Sequence, residues 1–201
     1  YPFGGCSYPA NVISPISENK LWDGYPQENS AGYSVAKKIG VTAAYSYKKQ
    51  YGINTLLVIP GNMYGEFDNF KLDESHVIPA LIRRFYEAKI LNKRKVKIWG
   101  SGKAIRDFVY AGDVAKNIIN LMQNNKSYNF PINISSGSKT SIKKLVNLIR
   151  KKIQYRGEIF WDISKPEGQL EKIFSVNKLK KFNKKYKPLS LEDGLDRTIF
   201  W

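Results

Sequence analysis

Residues 30–51 read Ser30-Ala31-Gly32-Tyr33-Ser34-Val35-Ala36-Lys37 and run on to Tyr51, Gly52 follows, and 53–60 read Ile53-Asn54-Thr55-Leu56-Leu57-Val58-Ile59-Pro60. The first part predicts a helix, with Ser30 as a plausible N-cap and Gly52 as its stop. The second is a short apolar run rich in β-branched residues and ended by proline, which predicts a strand over 53–59. Outward from this pair the same alternation repeats. Ile78, Leu81, Ile82 and Phe85 share one face of a helix predicted over 76–90. Strand-like segments at 95–99 and 106–110 flank the turn signal Gly100-Ser101-Gly102. A helix over 114–122, a strand over 132–134, a helix carrying the stripe Ile142, Leu145, Val146, Ile149 and Ile153, and a strand over 158–163 follow. Weaker helices are expected at 175–182 and 190–201. Alternating strands and helices imply an α/β fold with parallel strands.

Composition narrows the class. Of the 201 residues, 42% are hydrophobic and 13% aromatic, enough for a sizeable core and too many for a disordered chain. One cysteine excludes a disulfide framework within the chain and makes a reducing cytoplasm the expected compartment. No apolar run reaches the roughly 18 residues of a membrane span, so no membrane association is expected. The net charge of +16 raises the question of nucleic acid. The lysines, however, are spread along the chain, and the densest run, 178–187, is interleaved with Leu179, Phe182 and Tyr186. That pattern reads as a solvated helix face, with no nucleic acid as partner, and leaves some of the charge for an anionic ligand.

The chemistry begins with Tyr33 and Lys37. Four residues apart, they lie on one helix face a turn apart. An ammonium beside a phenol favours the phenolate, which equips a tyrosine to donate and accept a proton near neutral pH. Alone, the pair reads equally as a surface tyrosine beside a lysine. Cys6 and His76 are the single cysteine and single histidine of the chain, both types that titrate within reach of neutral pH. No metal-ligating cluster is apparent. No G-x-G-x-x-G fingerprint occurs, and neither Gly61 to Gly65 nor Gly100 to Gly102 joins a strand to a helix in the phosphate-binding manner. The cradle for a dinucleotide pyrophosphate is thus absent from this chain, which alone is not expected to work as an oxidoreductase.

The motifs form an ordered set: Gly5-Cys6-Ser7-Tyr8-Pro9, Tyr33-Ser34-Val35-Ala36-Lys37, Pro60-Gly61-Asn62-Met63-Tyr64-Gly65, Ser75-His76-Val77-Ile78-Pro79-Ala80-Leu81, Trp99-Gly100-Ser101-Gly102, Arg106-Asp107-Phe108-Val109-Tyr110, Asp113-Val114-Ala115 and Ser164-Lys165-Pro166-Glu167-Gly168. This order resembles the extended short-chain dehydrogenases that act on nucleotide sugars, the GDP-L-fucose synthases most closely, over essentially the whole chain. The resemblance implies the C-terminal part of a doubly wound Rossmann-type sheet interleaved with a smaller α/β substrate-binding domain. Its implied boundaries are 1–62 with 109–135 for the first, and 63–108 with 136–201 for the second.

It also implies an activity. Such enzymes take GDP-4-keto-6-deoxy-mannose, invert C3 and C5, and reduce the C4 ketone with NADPH. Cys6 and His76 would be the acid and base of the epimerisation, while Tyr33 protonates the C4 oxygen. Lys37 would tune Tyr33 and bond the nicotinamide ribose. Pro60, Gly61, Asn62 and Met63, with His76, would line the nicotinamide side of NADP. Arg84, Trp99, Arg106, Glu167 and Lys172 resemble the GDP-sugar contacts, a guanidinium fork suiting a diphosphate. On the residues alone, Asp107 in the same motif reads as a simple pairing partner for Arg106. The full-length parent is expected to be a cytoplasmic homodimer.

One departure stands out. The family carries a serine two positions before the cysteine, where it helps polarise the sugar carbonyl; here that position is Gly4. Ser7, expected on a strand, would point to a different face. Natural replacement, an altered terminus and loss of selection for turnover all remain open at this level. So do a GDP-deoxyheptose enzyme and a catalytically silent sugar-nucleotide-binding domain.

Overall fold

A computed structural model describes residues 1–72, 74–164 and 168–201. In chain order the helices are α1 (Ala31–Tyr51), α2 (Val77–Ile90), α3 (Ala111–Met122), α4 (Ile142–Ile153), α5 (Asn177–Phe182) and α6 (Leu191–Phe200). The strands are β1 (Leu57–Pro60), β2 (Asn62–Tyr64), β3 (Lys95–Trp99), β4 (Ile105–Arg106), β5 (Phe108–Tyr110), β6 (Pro131–Ile134), β7 (Thr140–Ser141), β8 (Glu158–Asp162) and β9 (Glu171–Lys172). None of the described helices is long and apolar enough to cross a membrane. The chain divides into two compact units. One comprises Tyr1–Met63, Asp107–Ser138 and Lys172–Pro188; the other, Tyr64–Arg106, Lys139–Glu171 and Leu189–Trp201.

The first unit is a parallel sheet covered on both faces. β1 pairs in parallel with β6, Leu57 opposite Pro131 through Pro60 opposite Ile134. On the other edge of β1, Phe3 N donates to Val58 O at 3.0 Å and Val58 N to Tyr1 O at 3.1 Å. Because successive side chains alternate between faces, the apolar run of β1 feeds two cores. Leu57 and Ile59 pack with Val41 and Ala44 of α1 and with Phe3, Tyr8 and Phe174. Leu56 and Val58 pack with Val114 and Leu121 of α3, Leu179 of α5, and Ile132 and Ile134. Such burial on both faces is why 56–59 reads as an unbroken apolar run instead of alternating. The ladder starts at Leu57, later than the sequence suggests, since Thr55 O and Leu56 O accept from Asn129 N and Tyr1 N instead. The 172–188 segment belongs to this unit, unlike the boundary drawn from sequence, because Phe174 and Leu179 fill its two cores.

α1 ends as predicted, with Gly52 at φ 74° and its N–H on Lys48 O, a conformation that favours glycine. Its start differs. Ser30 closes a 3-10 turn (Glu28–Ser30), and its hydroxyl donates back to Gln27 O, so it does not cap the helix. Residues Gly5–Ser7 also form a 3-10 turn, in place of the strand expected around Ser7. Ser7 N reaches back to Gly4 O at 3.0 Å and Ser7 is buried.

The second unit packs α2 on α4. Ile78, Leu81, Ile82 and Phe85 of α2 are buried, as are Leu145, Val146, Ile149 and Ile153 of α4, the two stripes read from the sequence. Pro79 sits in the first turn of α2, where a missing N–H costs nothing. β3 runs parallel to β8, from Lys95 opposite Glu158 to Trp99 opposite Asp162. Val96 and Ile98 face the core, while Lys95, Lys97 and Trp99 face out. On that outer face Lys97 Nζ lies 2.8 Å from the Asp162 carboxylate, and Ser164 donates to the same group through its hydroxyl at 2.6 Å and its N–H at 3.2 Å.

The Lys97 contact first, then the Ser164 hydroxyl, hold the Asp162 carboxyl down from 3.8 to about 2. A carboxyl depressed by folding stabilises the fold above its unfolded value and loses that contribution as pH falls through the folded one. Stability should therefore drop between about pH 4 and pH 2 through this group. Asp162→Asn should flatten that part of the profile, measured as the denaturant midpoint against pH. An unchanged slope in the variant would remove Asp162 from the acid response.

Candidate active site

The thiol and the phenol singled out by sequence meet at Gly4. A Cβ built on Gly4 would lie 3.1 Å from Cys6 Sγ and 3.7 Å from Tyr33 Oη. The thiol and the phenol therefore lie next to one position, Gly4. Backbone geometry does not require glycine there, since φ −87° and ψ 153° are open to any residue. What a side chain would meet is the Cys6 sulfur.

Local structure holds this arrangement. Ser34, next to Tyr33 on α1 and fully buried, donates from Oγ to Cys6 O at 3.0 Å, pinning the Gly5–Ser7 turn to the helix. Tyr33 itself is 53% exposed, so its ring is accessible to a ligand. One turn on, Lys37 Nζ lies 5.6 Å from the centre of the Tyr33 ring. Sequence reading missed Ser34. Its signal was its place inside the Tyr33–Lys37 segment, where a small hydroxyl on the buried side of an amphipathic helix asks for a partner.

Residues Pro60 to Met63 run from the last residue of β1 through Gly61 into β2, in the same unit. Gly61 N donates to Ile134 O at 2.9 Å, and a Cβ at Gly61 would come within 2.0 Å of Ser135 Oγ. Asn62 donates to Asp107 O from its N at 3.3 Å and from Nδ2 at 2.9 Å. Pro60 is buried; Met63 is 46% exposed. The Asp107 carboxylate, fully buried, accepts from Ser136 Oγ at 2.6 Å, Ser136 N at 3.1 Å, Gly137 N at 3.1 Å and Phe174 N at 3.3 Å. These donors come from the 136–137 and 172–174 segments, where the sequence had suggested Arg106. Burial pushes its carboxyl up, opposed by the Ser136 hydroxyl and the backbone N–H groups.

The other expected residues are placed as follows. His76 caps the N-terminus of α2 in the second unit, exposed, with its carbonyl accepting from Ala80 N at 3.0 Å. Arg84 Nη1 donates to Lys97 O at 3.1 Å, which sets it beside β3, two residues from the 63% exposed Trp99. Arg106 Nη1 donates to Ile105 O at 2.9 Å, and a Cβ on Gly168 would lie 3.8 Å from its Nη2. Lys172 is half-buried at the end of β9 and belongs to the first unit. Glu167, with Lys165 and Pro166, lies outside the described residues. The structure therefore groups Cys6, Tyr33 and Lys37 in the first unit, and Arg84 with Trp99 in the second. A groove of about 510 Å³ lined by Trp22, Tyr25, Val35, Lys38 and Ile39 runs along α1 as well. It uses helix positions on the side away from Tyr33 and Lys37, so it is no part of this arrangement.

Comparison with known proteins agrees with the motif reading. Residues 4–135 match the NAD dependent epimerase/dehydratase family, and the chain belongs to that family. It is 37% identical over 196 residues to a probable GDP-L-fucose synthase of Oryza sativa subsp. japonica, covering 98% of this chain and 59% of the relative. It also resembles a GDP-L-fucose synthetase of Naegleria fowleri solved with NADP bound, at 26% identity and a TM-score of 0.91, covering 100% of this chain and 64% of that one. A GDP-D-glycero-L-gluco-heptose synthase of Campylobacter jejuni, solved in the presence of NADPH, gives 28% identity and a TM-score of 0.85 over 100% and 68% of the two chains. The chain spans about three fifths of the length of the curated relatives it matches. The α/β fold with parallel strands expected from sequence is that of these neighbours.

Removing the Asp107 carboxylate would strand the donors of Ser136, Gly137 and Phe174 away from water. Asp107→Ala should cost about 3 kcal/mol of unfolding free energy, the scale for losing a buried charged acceptor. A denaturant melt showing a loss below about 1 kcal/mol would mean that the three segments hold without it.

Proposed function

We propose that the protein carrying this chain is an NADP-dependent epimerase/reductase that converts GDP-4-keto-6-deoxy-mannose to GDP-L-fucose. The observation that carries the reading is the convergence of the Cys6 thiol and the Tyr33 phenol on Gly4, in a member of this family. Inverting a carbon beside a ketone needs one group to take the α-proton and another to return it on the opposite face. Cys6 serves as one of these and His76 as the other. The resulting negative charge collects on the C4 oxygen; in the later reduction of C4, Tyr33 gives that oxygen its proton, with Lys37 Nζ 5.6 Å from the centre of the Tyr33 ring.

The chain's own residues fit the nicotinamide end of the cofactor. Gly61 lies so close to Ser135 that it admits no side chain, Asn62 is tethered at both N and Nδ2, and Met63 is exposed. The reduced cofactor, NADPH, would supply the hydride for C4. Lys37 bonds its ribose, and Pro60 to Met63 with His76 line its ring. Arg84, Trp99, Arg106, Glu167 and Lys172 take the GDP moiety, guanidinium groups suiting a diphosphate and the exposed Trp99 offering a flat apolar surface. The same proposal takes the reaction to be cytoplasmic and the enzyme a homodimer, with neither nucleic acid nor membrane as partner.

A second reading is a GDP-heptose enzyme, supported by the likeness to the heptose synthase of Campylobacter jejuni at 28% identity and a TM-score of 0.85. Turnover of GDP-4-keto-6-deoxy-mannose against a GDP-4-keto-heptose distinguishes the two.

Two variants of the complete protein test the main reading. Cys6→Ser should abolish solvent-deuterium wash-in at C3 and C5 while cofactor binding survives; wash-in at the wild-type rate would take Cys6 out of the mechanism. Arg106→Ala should weaken GDP binding by about 1.5–3 kcal/mol, the range for a charge-assisted hydrogen bond, read by calorimetry. Unchanged affinity would move the diphosphate elsewhere.

A further inference from the structure

Lys37 has a second aromatic neighbour. Its Nζ lies 5.5 Å from the centre of the Tyr1 ring and 5.6 Å from that of Tyr33. Tyr33 comes from the same helix, whereas Tyr1 comes from the segment beside β1, where its backbone N donates to Leu56 O at 2.7 Å and its carbonyl accepts from Val58 N. The Tyr1 side chain is fixed by contacts that do not involve the ammonium. Its hydroxyl donates to the Lys37 carbonyl at 3.2 Å, and its ring stacks on Phe3 with centres 6.2 Å apart. The ring also lies directly on Gly40 of α1, where a Cβ would come within 2.3 Å of it. Gly40 is thus the gap in the helix surface that seats the ring.

A lysine side chain has four rotatable bonds and, on an exposed helix face, sweeps a wide volume. Ring faces carry negative potential and attract an ammonium within about 6 Å. Two rings from different segments confine it far more than one ring on its own helix. We propose that Tyr1 is a positioning residue: its ring, seated on Gly40, holds the Lys37 ammonium against Tyr33. The functional part of this inference rests on reading Tyr33 and Lys37 as the proton-transfer pair. A purely structural Tyr1 would cover the helix equally well with any apolar side chain, which separates the two roles.

The experiment uses Tyr1→Leu and Tyr1→Phe in the complete protein. Leucine keeps the apolar cover over Gly40 and removes the ring; phenylalanine keeps the ring and removes the hydroxyl. The first measurement is the rate of acetylation of the Lys37 amine by acetic anhydride, read by peptide mass spectrometry. The second is kcat and KM for ketone reduction. Tyr1→Leu should acetylate Lys37 about two- to fivefold faster, in proportion to a half-exposed cation–π contact. It should lower kcat by a similar factor with KM for the sugar unchanged, and Tyr1→Phe should restore both. Unchanged Lys37 labelling in Tyr1→Leu would overturn the proposal, as would equal changes in both variants, which would assign the effect to the hydroxyl. Altered labelling in an enzyme without reductase activity would leave the clamp standing and sink the functional reading instead.

Discussion

The Asp107 carboxylate is shut away from water, and the donors around it come from two separate stretches of chain. Ser136 and Gly137 follow β6, and Phe174 lies in the segment that leads to α5. Its own carbonyl takes both donors of Asn62 at the start of β2. One residue thus joins three segments that are far apart in sequence. Desolvating a carboxylate costs several kcal/mol, offset here only by a nearly complete set of donors. That dependence makes the junction all-or-none. It fixes the Pro60–Met63 loop relative to Ser135 and sets Phe174 into the core beneath Gly5, where a Cβ would strike the Phe174 ring at 2.3 Å.

The cysteine turn is held from both sides. Phe174 closes one, and Ser34 on α1 ties Cys6 O from the other. The thiol therefore projects from a segment with little freedom, beside a tyrosine on the same helix as its tether. Preorganisation of this kind is what proton transfer to and from carbon requires, because misplacing either group lengthens the path of the proton.

The elements legible from the sequence were those whose signal is local. The stripes of α2 and α4, the Gly52 stop and the apolar run of β1 carry their periodicity and punctuation within a few residues. Tyr33 and Lys37 were legible for the same reason, as one turn of one helix. The donors to the Asp107 carboxylate were not legible because they lie about thirty and seventy residues away, a distance over which no pattern survives. The Gly5–Ser7 turn was hidden because three small or polar residues suit a strand and a 3-10 turn equally. The membership of 172–188 in the first unit depends on which core receives Phe174 and Leu179, and an apolar residue does not announce its core.

Gly61 and Ser135 stand so close that a methyl at Gly61 would overlap the serine hydroxyl at 2.0 Å and its Cβ at 2.9 Å, while the next atom, on Phe174, is at an ordinary 3.5 Å. The two positions consequently change in a fixed order. Glycine at 61 tolerates serine at 135, and alanine at 61 fits only where 135 has already shrunk to glycine. In descendants of this chain a side chain at 61 should therefore appear only after 135 has lost its own.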